Sequence, residues 1–116
     1  MQFKPKRVKE KLEALKKDPF AASYYAVNVL KDRWPEAEPN IKQDASAAYL
    51  YAIHIIKGRW PEAEPYIMKD PEAAFFYTRQ FIPGRWKEAE SYIKKDRLSW
   101  KNYKILMLGR NIRKLD

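Results

Sequence analysis

Apolar side chains recur along this chain with two superimposed periods. The short one is helical: Trp60, Ala63 and Ile67 lie three and four residues apart, and Ala74, Tyr77, Thr78, Phe81 and Ile82 repeat that spacing, so each set marks one face of a helix. The long one is a step of 26 residues that runs through the whole chain. Arg33, Arg59 and Arg85 fall in register, with Arg7 in a worn first copy; Trp34, Trp60 and Trp86 follow them, with Val8 in the first. Glu10, Glu36, Glu62 and Glu88 are in step, as are Leu15, Ile41, Ile67 and Ile93, and Asp18, Asp44, Asp70 and Asp96. Tyr25, Tyr51, Tyr77 and Tyr103 complete the pattern with Leu30, Ile56, Ile82 and Leu108. Agreement at this many independent positions defines four repeats, 7–32, 33–58, 59–84 and 85–110, with a short tail at 111–116.

Each unit reads as two short helices. Pro61 opens the first, where a missing N–H costs nothing, and Glu62 and Glu64 suit its positive end. Pro65 lies one turn further in and predicts a tight or kinked first turn. Asp70-Pro71-Glu72 then gives an N-cap, a first-turn proline and an acidic residue, the start of the second helix, which Pro83-Gly84 ends as Gly58 ends its predecessor. A hairpin of 26 residues cannot enclose its own apolar stripe, so the units are expected to share one continuous core. The predicted fold is all-α, about eight helices in a single domain over 1–116, stacked as a short α-solenoid or a compact superhelical bundle. The repeated tyrosines should form a ladder, with Ala22, Ala48 and Ala74 admitting close helix approach. Trp100 replaces that small residue in the last unit and, with Leu98, Ile112 and Leu115, is expected to plug the end of the core.

Composition excludes more than it assigns. The chain has no cysteine, which removes disulfides and thiolate chemistry and is compatible with a reducing compartment. Neither a signal-peptide run nor a membrane span is apparent, and a cytoplasmic protein without membrane contact is expected. The single histidine, His54, takes a repeat position held elsewhere by Asn28, Gln80 and Leu106, which marks a tolerated polar side chain. Glu36 with Glu38, and Glu62 with Glu64, are two residues apart and point away from each other on a helix, so they form no acid/base couple. The aspartates are accounted for as N-caps, and the three glycines stand singly rather than in a phosphate loop. An enzyme, a cofactor and a metal site are not expected.

The net charge of +9 is concentrated at the ends. Residues 1–32 carry eight Lys/Arg against four Asp/Glu and residues 85–116 ten against four, while 33–58 balance at three and three and 59–84 hold three against four. Basic caps keep the end repeats of a stack soluble. They also offer a nucleic-acid alternative, with Lys4, Lys6, Arg7, Lys9, Lys11, Lys16 and Lys17 at one end and Lys94, Lys95, Arg97, Lys101, Lys104, Arg110, Arg113 and Lys114 at the other. Against it, the helix N-termini are occupied by acidic residues and the repeated aromatics fall on the core stripe. Arg33, Arg59 and Arg85 are expected to pair with a glutamate three places on, or with a carboxylate of the adjoining unit, and to pack along the tryptophan.

The back of the second helix carries the candidate partner surface. At about 100° per residue, the face opposite the Ala/Tyr stripe holds Phe20, Tyr24 and Val27, then Leu50 and Ile53, then Phe76, then Leu98 and Ile105, with Arg79 beside them. Either neighbouring units cover this face or it stands open for a partner or a second copy. These positions vary between units while the stripe stays constant, which frees them for recognition. Phe20, Tyr24, Leu50, Ile53, Phe76 and Arg79 are the candidate contacts.

The wording R-W-P-E-A-E-P-x-I-x-K-D-P-x-A-A-x-x-Y-A, which residues 59–78 follow closely, resembles a short tandem helical repeat of phage, other viral and bacterial proteins of unknown function. The resemblance covers 33 to about 108, while the first unit departs from it with Val8, Lys9 and Lys11 in place of Trp, Pro and Ala. It implies helical hairpins and a viral origin, and supplies no catalytic residue. Together these readings lead to a non-enzymatic repeat protein that docks on a host protein and blocks it. The alternatives are a DNA- or RNA-binding protein using the basic ends and a self-assembling homo-oligomer.

Overall fold

Asp18, Asp44, Asp70 and Asp96 sit in extended backbone, and each accepts hydrogen bonds from amides two or three residues on: Phe20 and Ala21, Ala47, Glu72 and Ala73, and Ser99. These four caps start the second helix of every unit. The computed structural model describes residues 5–115, with side chains from residue 7. Its α-helices are α1 (Pro5–Lys17), α2 (Pro19–Tyr25), α3 (Glu38–Ile41), α4 (Ala45–Tyr51), α5 (Glu64–Ile67), α6 (Pro71–Phe81), α7 (Lys87–Ile93) and α8 (Arg97–Gly109), and no strand occurs among the described residues. The protein is all-α, with two α-helices for each 26-residue unit.

The prolines decide how each unit begins. In the third unit Pro61–Ala63 makes a tight 3-10 turn, and α5 takes over only at Glu64 with Pro65 in its first turn, as the missing N–H requires. The fourth unit has Lys87 and Ser91 at those two places, and α7 runs unbroken. The first unit has Lys9 and Glu13 there, and α1 extends over 13 residues.

The exits differ from expectation. After α2 and α4 the backbone widens into π-helical turns, Ala26–Leu30 and Ala52–Ile56, closed by bonds of 2.7 Å from Lys31 N to Ala26 O and from Lys57 N to Ala52 O. The left-handed residues that stop them are Lys31 at φ 55° and Lys57 at φ 60°; Gly58 has no positive φ and is not the stop predicted for it. Pro83 stands at the equivalent place in the third unit, and its ring cannot adopt a positive φ. There the helix stays α-helical to Phe81, and Ile82 turns extended, as a residue before proline must. A side chain in the left-handed region costs about 1–2 kcal/mol. Lys57→Gly should therefore raise the unfolding free energy by about 1 kcal/mol, seen as a higher urea midpoint at unchanged slope; a lower midpoint would contradict this account.

Helices α2, α4, α6 and α8 pack on one another in chain order, and α1 packs on α3. The molecule measures 62 × 22 × 22 Å, with a radius of gyration of 16.9 Å, against about 13 Å for a compact chain of roughly 100 residues. Tyr51, Tyr77 and Tyr103, with Ile41, Ile67 and Ile93, are fully buried, and Trp34, Trp60 and Trp86 nearly so. The ring ladder alternates instead of setting tyrosine on tyrosine. Tyr25 meets Trp34 of the next unit at 5.1 Å, Tyr51 meets Trp60 at 5.0 Å and Tyr77 meets Trp86 at 5.1 Å. Ala22, Ala48 and Ala74 are fully buried beside it. At the C-terminal end Trp100 stacks on Tyr103 at 5.4 Å, with Ile112 and Leu115 packed against the core. Leu98 does not join this plug and is 65% exposed, because it lies one residue, about 100°, from the buried Ser99 that faces inward.

Candidate functional site

Three identical polar clasps join the start of a unit to its second helix. Arg33 donates from Nε and Nη2 to Glu38 at 2.8 and 2.7 Å, Arg59 to Glu64 at 2.8 and 2.8 Å, and Arg85 to Glu90 at 2.8 and 2.6 Å. The tyrosine hydroxyls of 51, 77 and 103 donate to the same carboxylates at 2.6, 2.7 and 2.5 Å. They accept from the backbone N–H of Trp34, Trp60 and Trp86 at 2.7, 2.8 and 3.0 Å. The predicted pairing with a glutamate three places on is thus replaced by one five places on. Arg-Trp precedes the helix in extended backbone, so the helical neighbour spacing does not apply to it. The first unit has Leu12 in place of the carboxylate.

The electrostatics are closed within each clasp. The hydrogen bonds from Arg33 hold the Glu38 carboxyl below the usual carboxylate range. Burial pushes Glu64 and Glu90 up, but the bonds from Arg59 or Arg85 and from the tyrosine outweigh it, and both end below that range. Burial, reinforced by the neighbouring carboxylate, raises the phenols of Tyr51, Tyr77 and Tyr103 well above normal. A carboxylate whose folded pKa is depressed contributes stability above its unfolded value, about 4.3, and loses it as pH falls through the folded value. Urea midpoints should be level from pH 7 to about 5 and fall below about 4.5. Glu64→Gln should flatten that fall, and an equally steep fall in the variant would remove Glu64 from its cause.

The candidate outer face is divided. Phe20 (53% exposed) and Tyr24 (63%) are open on α2, and Leu98 and Ile105 (56%) on α8. Val27, Leu50, Ile53 and Phe76 are half-buried. Tyr49 stacks on Phe76 at 6.0 Å, and the exposed Arg79 lays its guanidinium over Phe75 and Phe76 at 5.6 and 5.0 Å. Neighbours therefore cover the middle of the face and leave its two ends open. The chain order of the contacts separates those ends along the long axis, so the six candidate contacts do not form one patch.

The basic candidates have unequal freedom. Lys9, Lys17, Arg97, Lys101, Lys104 and Arg113 are exposed. Lys16 pairs with Glu13 at 2.9 Å, Lys94 lies over Trp100 at 5.0 Å and Lys95 over Tyr92 at 5.2 Å. Arg110 is occupied inside the fold: it donates to Gly84 O at 2.8 Å and to Thr78 O and Arg79 O at 3.3 Å, meeting the carbonyls at the end of α6. Lys4 and the Lys6 side chain lie outside the described residues. His54 is exposed on the second π-helical turn.

The clasps were missed in the sequence although their signal was present, since Glu38, Glu64 and Glu90 keep step with Tyr51, Tyr77 and Tyr103. Among the described residues every buried side-chain polar atom has a partner, and no three His, Cys, Asp or Glu side chains converge as a metal site would need. No described helix is long and apolar enough to cross a membrane. No family model, curated protein or solved structure matches the chain.

Proposed function

We propose that this is a non-enzymatic helical-repeat protein of phage or viral origin, acting in the host cytoplasm by docking on a host protein and blocking it. The observation that carries the reading is the placement of the open apolar side chains. Phe20, Tyr24, Val29 and Leu30 lie on or just after α2, and Leu98, Ile105 and Leu108 on α8, so most exposed large apolar residues gather on the two terminal second helices. The repeated polar groups, by contrast, are satisfied within the clasps and have a structural role. Stacking of the hairpins as a solenoid fits the chain-order contacts and the elongated dimensions.

The test is capture of a defined protein from nuclease-treated host lysate by the tagged chain, repeated at two salt concentrations. Docking through apolar faces should persist. A nucleic-acid interaction through six to ten phosphates would instead lose about 10³–10⁵ in affinity between roughly 50 and 200 mM salt and would vanish with nuclease. Phe20→Ser with Tyr24→Ser, or Leu98→Ser with Ile105→Ser, should abolish capture while leaving the circular dichroism unchanged, because all four side chains are exposed. Capture that survives both double substitutions would overturn the reading. Light scattering on dilution separates docking from self-assembly.

A further inference from the structure

Within the stack, one face of each second helix receives the following unit. By register that face carries Ala48, Ala52 and Ile56 on the second unit and Ala74, Thr78 and Ile82 on the third, with all but Ile56 buried. What seats against it is the next unit's opening segment and short helix, which bury Trp60, Ala63 and Ile67, or Trp86, Ala89 and Ile93. That occupant is acidic, carrying Glu62 and Glu64 or Glu88 and Glu90.

The fourth unit presents the same face with no hairpin following it. The register places Trp100, Lys104 and Leu108 there, and the tail brings Ile112 and Leu115 to the places of Trp86 and Ala89. These residues, with Arg113 and Lys94, line an open groove of about 450 Å³. Leu108 remains 58% exposed, and Lys104 and Arg113 are exposed at the rim. No acidic side chain lines the groove. An apolar floor continuous with the inter-unit interface thus meets a wholly basic rim.

We infer that this C-terminal groove docks an acidic amphipathic helix of a partner protein, one that presents large apolar side chains at the spacing of Trp60, Ala63 and Ile67. The inference rests on the protein-docking reading above and names the partner's chemistry. Charge disfavours a second copy. In register with the buried Trp34 and Ala37, α1 offers Val8 and Lys11, with Lys9 exposed beside them, so basic side chains would meet a basic rim. The acidic helices of the other units are buried in their own stack.

The test uses the full chain and a fluorescein-labelled, end-blocked peptide of residues 60–67, Trp-Pro-Glu-Ala-Glu-Pro-Tyr-Ile, read by anisotropy. The peptide should bind, and a scrambled peptide of the same composition should bind at least about tenfold more weakly. Lys104→Glu with Arg113→Glu should weaken binding by about tenfold or more, and Leu108→Glu should do likewise. Both involve exposed side chains, and circular dichroism confirms that the fold is retained. Equal binding of the scrambled peptide, or unchanged affinity of the charge-reversed protein, overturns the inference. So does failure of the peptide to bind while vesicles of phosphatidylcholine and phosphatidylglycerol bind in a Leu108-dependent way, which would make the occupant lipid. If the peptide fails while nuclease-resistant capture persists and depends on Phe20 and Tyr24, this groove is excluded and the docking reading stands. If both fail, both fall.

Discussion

Trp60→Ala should lower the unfolding free energy by about 3–5 kcal/mol, out of a total of about 5–15 kcal/mol for a domain. The indole is 4% exposed and meets Tyr51 of the preceding unit at 5.0 Å, so its loss opens a cavity between the second and third units. In a chain whose units touch their neighbours in order, that junction carries cooperativity as well as stability. Urea unfolding followed by far-ultraviolet circular dichroism should show a lower midpoint together with a broadened or split transition. Trp86→Ala should behave similarly. Trp34→Ala should cost less, because its partner Tyr25 is only half-buried and belongs to the unit without a clasp. A loss below about 1.5 kcal/mol for Trp60→Ala, less than a Trp truncation in a packed core costs, would mean that the ring ladder does not hold the units together.

Tyr77→Phe should cost about 1–3 kcal/mol at pH 7, although it removes a single oxygen. That oxygen accepts from Trp60 N at 2.8 Å and donates to Glu64 at 2.7 Å, and its removal strands a buried N–H. The variant should also change behaviour in base. A phenol whose folded pKa is raised contributes stability in full below the unfolded value, about 10, and loses it as pH rises towards the folded value. Three such phenols, Tyr51, Tyr77 and Tyr103, should make the protein unfold readily in alkali. Tyr77→Phe removes one of them, so its stability should fall less steeply above pH 10, by about 1.4 kcal/mol per pH unit. The gap between the two proteins should therefore narrow from pH 7 to about 11. A constant gap would show that Tyr77 does not titrate with unfolding.

The hairpin boundaries were legible because local chemistry writes them. Asp18, Asp44, Asp70 and Asp96 stand where a helix needs a cap, and the Trp, Tyr and Ile positions recur at one fixed step. What depends on chain reversal was not legible. The clasp joins Arg59 to a carboxylate five residues on and that carboxylate to a hydroxyl 13 residues further, distances that no single helix's neighbour rules supply. The left-handed Lys57 was hidden by the adjacent Gly58, whose composition signal is the stronger one. The outer face could be located but not apportioned. Phe20 and Phe76 share it, yet one is exposed and the other stacks on Tyr49, because only Phe76 has a preceding unit to pack against. The C-terminal groove was divided in the sequence between a basic list and a hydrophobic plug, and its continuity with the face that carries Ala74, Thr78 and Ile82 emerges only from the register.

The chain-order packing of α2, α4, α6 and α8 has a metric consequence. Two lysine-rich termini are held apart by middle blocks that are almost electrically neutral, and each block contributes one indivisible increment of length. Duplicating or excising a block would move the termini by that increment and leave their chemistry untouched. The molecule is in this sense a gauge marked in hairpins, and its reach can evolve only in whole graduations.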